Sequence, residues 1–216
     1  MPRSSPAVLL ACLVVSAEAC AAPTAYTLEP NYTQGVFQWD HLGFSTPTAQ
    51  FSQGTGTLDF DAGDVTRSSV QVTIPIASVH TGVAALDEHL ASEDFFEIDM
   101  YPTATFTSRS IERATGANRL VVHGELTLHG ITRPVALDVT ILKIGVNPRS
   151  SLATVGIDAV TVLRRSEFGL GKYIPQVGDE VQVHLISQAV EAKTYAAHLK
   201  AEAEREAAAA HSVPKQ

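Results

Sequence analysis

A chain of 216 residues is long enough for one sizeable domain and short for two. Its 23 acidic and 15 basic side chains leave a net charge of −8, and the basic ones are scattered apart from Arg164-Arg165, which argues against nucleic acid as a partner. Both cysteines, Cys12 and Cys20, lie in or beside the first apolar stretch, so the folded body has no intramolecular disulfide, thiolate metal cage or cysteine nucleophile.

Residues 1–22 read as a secretory signal peptide. Arg3 supplies a positive start, Ala7–Val15 an apolar run, and Ala17-Glu18-Ala19 a small-x-small cleavage pattern, with a second option after Ala22. The run is too short to span a bilayer, which takes about 20 apolar residues. The competing reading, a lipoprotein acylated at Cys20, fits poorly because Glu18 interrupts the lipobox. No later apolar run approaches membrane length, so a periplasmic or secreted soluble protein is expected.

From Tyr26 to Ala192 the dominant period is two. Tyr26–Glu29, Gly35–Leu42 and Gln50–Phe60 come first. Val70, Val72, Ile74 and Ile76 then share one parity, and Pro102–Ile111 follows. Leu120, Val122, Leu126 and Leu128 share the next face, with Gly124 as a bulge or bend. Val135, Leu137, Val139 and Ile141 follow Pro134, which is expected at a strand start. Val155, Ile157, Ala159, Thr161 and Leu163, then Val181, Val183 and Leu185, complete eight or nine strands, each with one buried face.

Several strands reach about ten residues against a usual five or six. The turns between them are short and polar, as in Asp61-Ala62-Gly63-Asp64, so neighbours run antiparallel. Long antiparallel strands in one domain hide their edges best by closing into a barrel. The expectation is therefore an all-β, eight-stranded antiparallel barrel over residues 23–192, with a two-sheet sandwich as the alternative.

Two segments break the alternation. Ala84–Ala91 reads as a short helix, followed by the apolar pair Phe95-Phe96. Ser166–Tyr173 carries aromatics among glycines. Both put large apolar groups where a barrel mouth would be gated. Residues 193–216 are rich in Ala, Glu and Lys and read as a helical extension. Tyr195 and Leu199 stand at i and i+4 there, but a largely solvated helix is favoured over one resting on the domain.

Six stretches, in order and at matching spacing, together resemble the YceI-like family. They are His41-Leu42-Gly43-Phe44-Ser45; Gly56-Thr57-Leu58-Asp59-Phe60; Asp87-Glu88-His89-Leu90 with Asp94-Phe95-Phe96; Tyr101–Phe106; Gly124–Val135; and Arg165–Tyr173. The resemblance implies a lipocalin-like barrel that binds a polyisoprenoid or another long-chain lipid, with no cofactor and no catalytic residues. The sequence departs from the family before His41, where Phe37-Gln38-Trp39-Asp40 puts an acid in place of the more usual base. That weighs against an anionic head group held there.

A lipid binder needs an elongated apolar cavity and one or two polar groups at its mouth. Each buried CH₂ contributes about 0.8 kcal/mol, so roughly ten chain carbons supply about 8 kcal/mol, enough for micromolar affinity. The candidate wall residues are Phe37, Trp39, Leu42, Phe44, Phe51, Phe106, Phe168 and Tyr173, with His41 and Arg165 as the polar groups. Alternation alone does not separate a hollow barrel from a filled one.

Other chemistry is weakly supported. The histidines are dispersed over separate elements without metal-ligand spacing. Asp87-Glu88-His89 reads as helix capping with bonds to the following loop. Ser166 lacks a nucleophile elbow or a partner histidine. Arg165 is open to three roles: fixing its loop through backbone carbonyls, pairing with Asp94, or facing a head group. Partners reduce to a long-chain lipid or isoprenoid ligand, with pairing of two barrels into a homodimer left open. An enzyme acting on such a lipid and a packed envelope-stress module are the competing functions.

Overall fold

The computed structural model describes residues 22–211, so the expected signal segment lies outside the described residues but for Ala22. Ten strands form one antiparallel sheet: β1 Thr24–Leu28, β2 Gln34–His41, β3 Thr48–Phe51, β4 Thr55–Phe60, β5 Ser69–Pro75, β6 Thr103–Arg113, β7 Arg119–Leu128, β8 Ile131–Val146, β9 Ala153–Arg164 and β10 Val177–Glu191. They run in the order β1-β4-β5-β6-β7-β8-β9-β10-β2-β3, and β1 also pairs with β10. Leu28 opposite Ala189 and Tyr26 opposite Glu191 close the ring.

The closed ring has eight strands, β1 and β4–β10, which is the expected barrel and not a sandwich. β2 and β3 continue it upward. β1 and β2 are successive halves of one stave along β10, and β3 and β4 are halves of its neighbour. The expected single strand Gln50–Phe60 is thus broken, at residues 52–54. The two breaks face each other. Pro30, which has no N–H to give a ladder, starts a short 3-10 turn in the first stave. Gly54 N–H donates to the carbonyl of Thr33 at 3.1 Å. A Cβ on Gly54 would lie 2.6 Å from Thr33 Cγ2, so only glycine permits this approach.

Gly124 behaves differently from a bulge residue. The bulge sits opposite it, at Arg109 of β6, where the register shifts between Ser108 and Ser110. Gly124 itself makes room for an aromatic ring, since a Cβ there would lie 2.4 Å from Phe106 Cζ. Pro134 is the fourth residue of β8 and not its start. β8 pairs with β9 only from Asp138 onward, so the proline interrupts no ladder on that side.

Two short covers close the upper end. Helix α1 (Ala84–Ala91) turns Leu86 and Leu90 onto the barrel, one turn apart. Asp87 ties down the loop before the helix, not the one after it as expected: its carboxylate accepts from the Thr81 N–H and hydroxyl and meets His80 Nδ1 at 3.0 Å. A helical side chain leans toward the N-terminus, which explains the direction. The second cover is the loop from Arg165 to Gln176, which begins with a 3-10 turn.

Helix α2 (Ala192–His211) carries the tail. Its first turns rest on the barrel, where Tyr195 is half-buried and hydrogen-bonds Glu29. Leu199, one turn on, is exposed. Among the described residues no helix is long and apolar enough to cross a membrane.

Candidate ligand cavity

Inward side chains of all eight staves surround a cavity of about 520 Å³. The inward parity read from the alternation recurs along its wall: Val70, Val72 and Ile74; Leu120 and Val122; Leu137, Val139 and Ile141; Val155, Ile157 and Ala159; Val181, Val183 and Leu185. Its lining is overwhelmingly apolar, and its volume falls within the 300–1,000 Å³ or so usual for small-molecule sites. The barrel is therefore hollow.

The lower half is aliphatic apart from Tyr26, Phe60 and Phe106. It is plugged by the β4–β5 turn, which puts Val65 into the cavity wall. Asp61 holds that turn together while buried: one carboxylate oxygen accepts the N–H groups of Gly63 and Asp64 at 2.9 Å, and the other faces Arg67 Nε at 3.3 Å.

The upper half is aromatic. Phe37 stacks between Trp39 at 5.7 Å and Phe51 at 5.0 Å, and Phe96 meets Phe37 and Phe51 edge-on at 6.3 and 5.6 Å. Phe168 reaches in from the second cover and is 1% exposed. Phe37, Trp39, Phe51, Phe106 and Phe168 thus line one cavity, Phe106 in the lower half and the others above it. His41 and Tyr173 line it too but are exposed, which locates the opening between the β2–β3 turn and the second cover.

Leu42 and Phe44 do not line the cavity, contrary to expectation. β2 ends at His41, and the chain then leaves the sheet in a tight turn closed by the His41 N–H to the Ser45 carbonyl at 2.9 Å. Leu42 and Gly43 take positive φ there, at 60° and 71°, so the two-residue period lapses. Leu42 is 50% exposed and Phe44 92%.

Arg165 lies against the cavity wall, but its guanidinium is spent on the protein. It donates through Nε to Gly178 O at 2.7 Å, through one terminal nitrogen to Lys172 O at 2.8 Å and to Leu170 O, and through the other to Val177 O at 2.7 Å. Burial pushes its pKa below the ordinary arginine value, with the Asp179 charge acting in the opposite direction. It staples its loop to the start of β10. Asp94 pairs with Lys172, not Arg165. Ser166 donates its hydroxyl to Asp179 at 2.8 Å, and its N–H to the other carboxylate oxygen at 2.9 Å, bonds that hold the loop to the start of β10.

Leu86, Leu90, Phe95, Phe96 and Leu170 also line the wall, beyond the residues expected to do so; all but Leu170 belong to α1 and the loop after it. The i, i+4 spacing of Leu86 and Leu90 was the available signal. Around the opening, His89 meets Phe95 at 5.0 Å and Tyr173 at 6.3 Å, joining the two covers. His129 pins the second cover from the β7–β8 turn. Its Nδ1 lies 3.1 Å from Phe168 O, which it can approach only as a donor. Gly169 takes φ 77° beside it, and a Cβ there would sit 3.2 Å from that nitrogen. Gly171 has ordinary space around it and no such need.

A family model described as a YceI-like domain matches residues 26–189. A UPF0312 protein of Ectopseudomonas mendocina is 31% identical over 179 residues, covering 83% of this chain and 93% of that relative. The crystal structure of BcnA from Burkholderia cenocepacia aligns with a TM-score of 0.65 and 28% identity, over 72% of this chain and 95% of BcnA. A polyisoprenoid binding domain from Saccharophagus degradans aligns with a TM-score of 0.58 over 78% of this chain and 99% of that one; at 17% identity it shares the fold. Since the family match runs through the whole barrel and the cavity it encloses, this chain belongs to the YceI-like family.

Proposed function

We propose that the barrel binds one elongated apolar molecule, a polyisoprenoid or similar long-chain lipid, and carries or stores it outside the cytoplasm. The observation that carries this reading is the hollow, apolar interior. Filling such a space with side chains would gain on the order of 10 kcal/mol, at about 24 cal/mol per Å³ of apolar void. That equals the whole stability of a typical domain, about 5–15 kcal/mol. An occupant that covers the wall recovers much of it. The polyisoprenoid-binding structural neighbour supports the class of ligand, and the apolar N-terminal stretch supports export. Binding, not turnover, fits a rim where Arg165, Lys172 and His129 are engaged in holding the covers.

Native mass spectrometry of the purified protein tests the proposal. A retained apolar mass, exchangeable for an offered polyprenol, is the expected result. A protein that is always empty and takes up no long-chain lipid overturns it. Fractionation of the producing cell tests export: recovery in the cytoplasm with an intact N-terminus rules it out.

A further inference from the structure

The tip of the β2–β3 turn is the feature the cavity leaves unexplained. Phe44 is 92% exposed, yet its turn is well braced. Phe44 N–H and Ser45 N–H both donate to His41 O, and Gly43 N–H donates to Asp40 Oδ2 at 3.1 Å. A scattered surface phenylalanine needs no explanation, but this one has company. Leu42 N–H donates to Gln176 O at 3.0 Å, and Val177 pairs with His41, so the turn abuts the second cover. That cover exposes Tyr173 (48%) and Ile174 (36%) beside half-exposed Leu42. Four apolar side chains on two joined loops therefore project at the opening, and Tyr173 carries the apolar surface on into the cavity.

We infer that the mouth of the barrel docks on the surface of an electrically neutral lipid layer, inserting Phe44 with Leu42, Tyr173 and Ile174 around it. Charge selects this partner. The cations in and beside the second cover are already engaged: Arg164 at the end of β9 faces Glu180, Arg165 bonds backbone carbonyls, and Lys172 pairs with Asp94. Asp40 near the end of β2, Glu167 in the second cover and Asp179 near the start of β10 add negative charge beside them, and the chain carries a net charge of −8. A layer rich in anionic lipid is repelled, whereas zwitterionic head groups admit the aromatic tip. The purpose of docking rests on the ligand reading above: a long-chain lipid dissolves in such a layer and not in water, so loading there spares it the aqueous step.

The test is flotation of the purified protein with phosphatidylcholine vesicles, and with vesicles to which phosphatidylglycerol is added. The protein is expected to float with the first and less with the second. Phe44→Ser is expected to weaken binding about tenfold, the loss of one apolar side chain from the lipid, while Phe44→Trp retains it. Equal binding by Phe44→Ser, tighter binding to the anionic vesicles, or no binding at all overturns the inference. So does light scattering that shows, without vesicles, a dimer abolished by Phe44→Ser, since the tip then seats a second copy. Native mass spectrometry of the same samples separates the two readings. Vesicle binding by a protein that never holds polyprenol leaves docking standing and removes the cavity reading. Polyprenol held by a protein that never floats does the reverse.

Discussion

The two ends of the barrel are closed by different means. The lower half is sealed by strand ladders, bulged at Arg109 and Leu142, and by one turn folded around buried Asp61, and its wall is mostly aliphatic. In the upper half the wall is aromatic, and closure depends on side chains that staple loops: Arg165 to four carbonyls, His129 to Phe168, Lys172 to Asp94. A ladder opens only with the sheet, whereas staples can be released one at a time. The lower end is thus the fixed floor of the cavity and the upper end its door.

The largest expected effect comes from removing the central staple. Arg165→Ala takes the donor from one buried carbonyl, at about 1–3 kcal/mol, and from three part-buried ones at less each, and is expected to cost about 4 kcal/mol in all. For a domain of this size that lowers the melting temperature by roughly 10 °C. Arg165→Lys recovers little of it, because three ammonium donors lack the flat fork that reaches all four acceptors. A melting curve unchanged in Arg165→Ala would mean that the upper end does not depend on this staple.

The floor is probed by filling it. Ala159→Leu adds three carbons to the lower cavity wall. In a packed core such overpacking costs about 1–3 kcal/mol. In this hollow one stability is expected to hold, while a chain-filling ligand loses about 2 kcal/mol of contact, roughly thirtyfold in Kd. Calorimetric titration and thermal melting together decide the matter; a destabilised variant with unchanged affinity would contradict a hollow floor.

The door is expected to respond to acid. The hydrogen bond from Lys172 holds the Asp94 carboxyl below its ordinary value. A depressed carboxyl contributes above its unfolded value, near 3.9, and that contribution is lost as pH falls through the lowered value. Escape of a preloaded ligand to acceptor vesicles is expected to be flat near neutrality and to quicken below about pH 4. Lys172→Ala should already release faster at neutral pH, with the acid step diminished. An unchanged acid step in that variant would assign the effect to another group.

The smallest effect lies outside both ends. Tyr195→Phe removes the bond from α2 to Glu29 and is expected to cost about 1 kcal/mol, seen as a shift of a few degrees in melting. Faster amide exchange confined to α2 would show that the tail is held separately from the barrel.

Most of the wall was legible in the sequence because a two-residue period carries the same information at every strand position. Val155, Ile157 and Ala159 could face only one way. What period two cannot report is where a strand pauses. The stretch Gln50–Phe60 alternates well enough to read as one strand, and its break shows only in the contact between Gly54 and Thr33, distant in sequence. Leu42 and Phe44 misled for the same reason, since their parity was extended past the last paired residue, His41. Pro134 reads as a strand start only when the missing β9 ladder beside it is unknown. The roles of Arg165 stayed open because they turn on which of Gly178, Leu170, Lys172 and Val177 present carbonyls to it, a matter of loop shape.

Trp39 is the only tryptophan in the chain, and it stands in the cavity wall, stacked on Phe37. All indole emission from this protein therefore originates beside the proposed ligand. Its colour and lifetime report whether the interior holds water, hydrocarbon or a quenching quinone-like ring, with no label added. In the purified protein the barrel carries its own occupancy gauge.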